Sequence, residues 1–122
     1  MLPAAHRLRR SVDFERTVRR GVRAGRSTVV VHLSLDTQGD ESPQVGFVVS
    51  KAVGNAVNRN LVKRRLRAVA STSVATLPAG SRVVVRALPA ATSATFAQLS
   101  TDVSRGLDRA VGRLGVRGSD RS

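Results

Sequence analysis

The chain has 122 residues with no cysteine, no Trp or Tyr and three Phe; 21 Lys and Arg stand against eight Asp and Glu, a formal charge of +13. That length fits one domain around one core of small branched side chains, and the lack of cysteine excludes a disulfide framework and any thiolate nucleophile or metal site. No apolar run is long enough for a membrane-spanning helix and no apolar h-region marks a secretory signal, so the expectation is a cytoplasmic protein, with a cationic excess best tolerated beside nucleic acid.

Residues 1–10 read as a flexible basic arm. From Ser11 to Arg20 a helix is expected, with Ser11 as its cap, Asp13 and Glu15 in the first turn, and Phe14 and Val18 on one face. Ser27 to Leu35 alternates Val31, Leu33 and Leu35 with His32 and Ser34, the pattern of a strand with its core on one side. Val45 to Val49 is a second strand. The polar TQGDESP stretch between them carries Asp40 and Glu41 and predicts an antiparallel hairpin. A second, basic helix is expected from about Asn55 to Ala70. RVVVRA, from Arg82 to Ala87, is a third strand, bounded by Pro78–Ala79–Gly80 and Pro89.

The last helix is expected from about Thr92 to Leu114, on the repeat Phe96, Leu99, Val103, Leu107, Val111, Leu114. Arg105, Arg109 and Arg113 follow at fourfold spacing on another face, either solvated or an extra RNA contact. Residues 115–122 read as a frayed tail. The succession helix, strand, strand, helix, strand, helix predicts an α+β fold: a two-layer sandwich of three helices on a small, mostly antiparallel sheet.

The basic helix carries the functional signal. Residues 51–69, KAVGNAVNRNLVKRRLRAV, contain no acid. On a helical wheel started at Val57, Arg59, Asn60, Lys63, Arg64 and Arg67 share one arc. Val57, Leu61, Val62, Leu66, Ala68 and Val69 share another, expected to pack on the sheet. Arg65 falls on the apolar side and must snorkel or lie at its edge. Cations this dense with no carboxylate repel one another unless an anion lies across them, and guanidinium forks meet phosphate oxygens two at a time. Asn55 is a good N-cap, and Gly54 before it allows close backbone approach.

Segment 46–67, GFVVSKAVGNAVNRNLVKRRLR, resembles the signature region of the bacterial ribonuclease P protein family. Ser50, Lys51, Val53, Gly54, Asn55, Ala56, Val57, Arg59, Asn60, Lys63, Arg64 and Arg67 stand at matching positions. The opening RLRRSVDFERTVRRG matches through Arg7, Leu8, Asp13, Phe14 and Gly21, so the likeness covers nearly the whole chain. Two departures stand out: Ala52 replaces the second Lys of a Ser-Lys-Lys, and Leu61 replaces the last Arg of an Arg-Asn-Arg, a charge that Arg64 or Arg65 would have to supply. Val18 and His32 also occupy positions where aromatics are common.

The resemblance implies a ribonucleoprotein that removes the 5′ leader of precursor tRNA by phosphodiester hydrolysis. The catalytic Mg2+ ions are expected on the RNA subunit, and this chain is expected to carry no catalytic or metal-ligating residue of its own. Implied RNA-subunit contacts are Lys51, Asn55, Arg59, Asn60, Lys63, Arg64 and Arg67. Phe14, Val18, His32 and Phe47 are implied for a leader cleft between first helix and sheet, with His32 open between cleft and plain sheet surface and Phe47 between core and cleft floor. A left-handed βαβ crossover is implied too. The expected partners are ribonuclease P RNA and the precursor tRNA leader, with no membrane, no small-molecule substrate and a monomeric protein.

The alternative is a non-catalytic ribosomal or RNA-assembly protein, equally basic and free of cysteine. A nuclease acting through this chain alone finds little support, since His6 and His32 are the only histidines and the acids are scattered. A membrane-surface protein would need bulkier apolar anchors opposite its cations.

Overall fold

A computed structural model of the chain describes residues 6–8, 10–35 and 42–119; the acidic connection around Asp36, Asp40 and Glu41 lies outside them. In chain order the elements are α1 (Ser11–Arg20), β1 (Val22–Gly25), β2 (Val29–Leu35), β3 (Gln44–Val48), α2 (Ala56–Ser73), β4 (Ser81–Ala87) and α3 (Phe96–Ser119). Short 3-10 turns at Lys51–Val53, Val74–Thr76 and Pro89–Thr92 link them. The fold is α+β, three helices on a four-stranded sheet.

Strand order is β1-β2-β4-β3, so the expected hairpin between β2 and β3 does not form. β4 lies between them, antiparallel to β2 and parallel to β3, with Val85 opposite both Val31 and Phe47. The cause is composition. Val83, Val84 and Val85 are all fully buried, and a strand apolar on both faces belongs at the centre of a sheet. The true hairpin is β1–β2, closed at Arg26, whose N–H donates to the Val29 carbonyl at 2.8 Å. β1 was not expected from the sequence, being a four-residue strand that contains Arg23 and Gly25.

Alternate residues of β2 and β4 (Val29, Val31, Leu33, Val83, Val85) share one core with Val62, Leu66 and Val69 of α2 and Leu99, Val103 and Leu107 of α3. α1 crosses the other sheet face over β2 and β4. Its first turn has no side-chain cap: the N-cap is Arg10 and not the expected Ser11. The arm is tied down where it is described. Leu8 is buried and its N–H donates to the Val45 carbonyl at 3.0 Å, while His6 Nδ1 lies 2.8 Å from the Pro43 carbonyl. α3 begins at Phe96, after the turn holding Thr92, and runs past the expected end at Leu114 to Ser119.

Candidate nucleic-acid interface

The start of α2 is built by two polar residues and a glycine. Ser50 Oγ accepts from the Ala52 N–H at 3.3 Å and holds the turn that presents Lys51 to solvent. Asn55 Oδ1 accepts from the Asn58 N–H at 2.9 Å, the expected N-cap. Between them Gly54 sits at φ +153°, a backbone conformation that side chains resist, and a Cβ there would lie 3.1 Å from Asn58 Cβ.

Along the helix the buried residues are Val62, Leu66, Val69 and Ala70. The expected apolar arc is therefore narrower and rotated: Val57 is 74% exposed, Leu61 39%, and Ala68 is exposed as well. Arg59, Lys63 and Arg67 lie half-buried along one flank, with Asn60 and Arg64 exposed beside them. Among the described residues no carboxylate pairs with any of these cations. Arg59 Nε is buried with no hydrogen-bond partner, an unmet donor within a row of like charges. Arg65 takes the other flank, where its Nη1 donates to the Ala94 carbonyl at 3.4 Å. Arg64 has no such contact and is exposed on the side of Leu61.

On the opposite sheet face α1 and β3 form a groove of about 600 Å³, lined by Val12, Phe14, Glu15, Val18, Arg19 and Val48 among others. The Phe14 ring lies against Gly46, where a Cβ would collide with its Cζ, so only glycine admits the ring this close. Phe14 and Val18 thus meet as predicted, but two other residues do not join them. Phe47 alternates to the far face and packs on the core, since neighbours along a strand point opposite ways. His32, expected to point outward, is on the α1 face yet only 3% exposed, and neither ring nitrogen has a partner. Burial first, then the Arg86 and Arg23 cations, lowers its pKa from the ordinary histidine value. Val48 was not singled out from the sequence; it is two residues from Gly46, and that alternation was the available signal.

Among the described residues no three His, Asp or Glu lie together as a metal site would require, and no helix is long and apolar enough to cross a membrane. The sequence profile of the family described as Ribonuclease P matches residues 2–111. A ribonuclease P protein component from Beutenbergia cavernae is 56% identical over 117 residues, covering 96% of this chain and 94% of that protein. One from Nocardioides sp. is 54% identical over 110 residues, covering 89% and 94%. The solved RNase P protein of Staphylococcus aureus superposes with a TM-score of 0.78 at 28% identity, over 87% of this chain and 95% of that one. A basic, carboxylate-free helix on this sheet, and a family match spanning nearly all of the sequence, lead to one conclusion: the chain belongs to the ribonuclease P protein family.

Proposed function

We propose that the chain works as the protein component of ribonuclease P, gripping the enzyme's RNA with the cationic flank of α2 and guiding the 5′ leader of precursor tRNA along the groove between α1 and β3. The observation that carries this is the row Arg59, Lys63, Arg64 and Arg67, which has no carboxylate partner among the described residues and includes a buried, unpaired Arg59 Nε. Phosphate oxygens satisfy that donor and relieve the like-charge repulsion along the helix. The groove's Phe14, Val18 and Val48 offer apolar contact to unpaired bases, with a single aromatic face for stacking. Magnesium ions held by the RNA supply the hydrolytic chemistry. This chain's residues bind and orient RNA in the cytoplasm and break no bond themselves.

The test is single-turnover cleavage of a precursor tRNA by a bacterial ribonuclease P RNA at low magnesium, with and without the chain. Restored cleavage at the mature 5′ end, and none without the RNA subunit, is the expected result. Binding without any change in cleavage would favour the ribosomal or assembly alternative. In the same system Lys63→Ala weakens assembly and reduces the slope of log affinity against log salt by about 0.7–0.9, the share of one phosphate contact. An unchanged slope removes Lys63 from the interface.

A further inference from the structure

The basic surface does not end at α2. On α3, Arg105, Arg109 and Arg113 are all exposed, and among the described residues no carboxylate pairs with any of them. Of the two nearest acids on the helix, Asp102 is turned to the core, and Asp108, exposed and three residues beyond Arg105, pairs with no cation among the described residues. Asp102 is buried, accepting from the Thr28 N–H at 3.2 Å, the Thr28 hydroxyl at 2.6 Å and Arg26 Nε at 3.4 Å. Asp108 lines a cavity between the two helices with Thr72, Thr76 and Ser104.

The three arginines descend toward the edge of the sheet. At 3.6 residues per turn, each fourfold step winds slightly past a full turn, so Arg105, Arg109 and Arg113 swing successively toward the side of α3 that carries Gly106. Asp108 falls on nearly the opposite side. The Gly106 side is where α3 meets the β1–β2 hairpin: a Cβ on Gly106 would lie 2.7 Å from Val31 Cγ2 and 3.6 Å from Arg26 Cγ. Arg113 closes the contact by donating from Nη1 to the Arg23 carbonyl. Arg23 is itself exposed on the edge strand β1, but it stands opposite His32 and so turns to the α1 face, away from α3. Three guanidinium groups therefore follow α3 along the β1 edge of the sheet.

This rim is separate from the α2 flank. The side of α2 that faces α3 carries Arg65, bonded to the Ala94 carbonyl, and Thr72. Arg59, Lys63 and Arg67 lie round the helix from it. α3 packs over β1 and β2, and α2 reaches β3, so the two cationic flanks overhang opposite edges of the sheet. The edge strands are three spacings, or about 14 Å, apart before any side chain is added. Along α3 each fourfold step advances about 6 Å, a spacing suited to successive phosphates on one strand.

We propose that the α3 flank along the β1 edge, through Arg105, Arg109 and Arg113, is a second RNA-binding surface that takes a separate segment of the same ribonuclease P RNA, so that the protein clamps two segments across its sheet. This rests on the reading of α2 as the first contact. The test compares R105A/R109A with K63A in assembly with ribonuclease P RNA across a salt series, with hydroxyl-radical footprinting of the RNA. Arg113 is left in place because it ties α3 to β1. The expected outcome is a slope reduced by about 0.7–0.9 per lost contact, an unchanged melting temperature and recovery of most of the slope in R105K/R109K. In the footprint, R105A/R109A loses one protected segment and K63A loses another. If K63A lowers the slope and R105A/R109A does not, the second surface is overturned while the α2 reading stands; if neither does, both fall. A loss seen only with precursor tRNA, with assembly intact, assigns the edge to substrate and also overturns the proposal.

Discussion

Arg59 and His32 each bury polar nitrogen without a partner, and the chemistry differs between them. Arginine stays charged at any working pH, so its unmet donor calls for an anion. Histidine has an alternative: burial first, and then the Arg86 and Arg23 cations, lower its pKa and favour the neutral ring. Because its folded-state pKa lies below the unfolded value, the unfolded chain binds a proton that the folded chain refuses. Stability is therefore full above about pH 6.5 and is lost as pH falls below it. Thermal melts from about pH 7.5 to 5 should show that fall in the wild type and a shallower one in His32→Gln; equal slopes would mean that another group is responsible. Phe14 makes the second residue-scale prediction: Phe14→Ala costs about 1–3 kcal/mol of affinity for leader-bearing precursor, the contribution of one stacked base, and little for leader-free tRNA. Equal losses would remove the ring from the leader path. Phe14 and Val18 were legible as a shared helix face. Phe47 was not placed, because in the run from Val45 to Val49 apolar residues serve both faces and a one-residue slip exchanges them.

At the level of elements, three of the four strands and all three helices could be found from periodicity and capping, to within a few residues at most ends. The rotation of α2 could not. Val57, Leu61, Val62, Leu66, Ala68 and Val69 cover so much of its circumference that spacing leaves the buried side open, and only the packed sheet selects Val62, Leu66 and Val69. Leu66→Ala, at a fully buried site, should cost about 2–5 kcal/mol, and Leu61→Ala no more than about 0.5 kcal/mol. Urea denaturation of the two variants checks this; similar losses would restore the first reading of the helix. Strand pairing was illegible for a different reason. A polar connection between two strands suggests a hairpin, and nothing local to β2 or β3 shows that a strand beyond the whole of α2 will separate them.

For the whole molecule the +13 charge acts against the fold and for the partner. Self-repulsion is screened as ionic strength rises, so the free protein should melt at a higher temperature in about 0.5 M than in about 0.05 M salt, while its affinity for RNA falls over the same range. A melting temperature that dropped with salt would mean that specific ion pairs outweigh the net charge. The position of β4 has one more consequence. Among the described residues β3 pairs with no other strand, apart from the bridge of Arg7 to Val45, and in the finished sheet it joins the β1–β2 hairpin through β4. During synthesis the N-terminal strands and the basic helix therefore leave the ribosome before the strand that joins them exists. The sheet cannot close until Ser81–Ala87 has emerged, and such long-range pairing is slow to form. Until then, in a growing polypeptide, α2 is a bare cationic segment beside ribosomal RNA, and completion of one valine-rich strand is what gives it a fixed place.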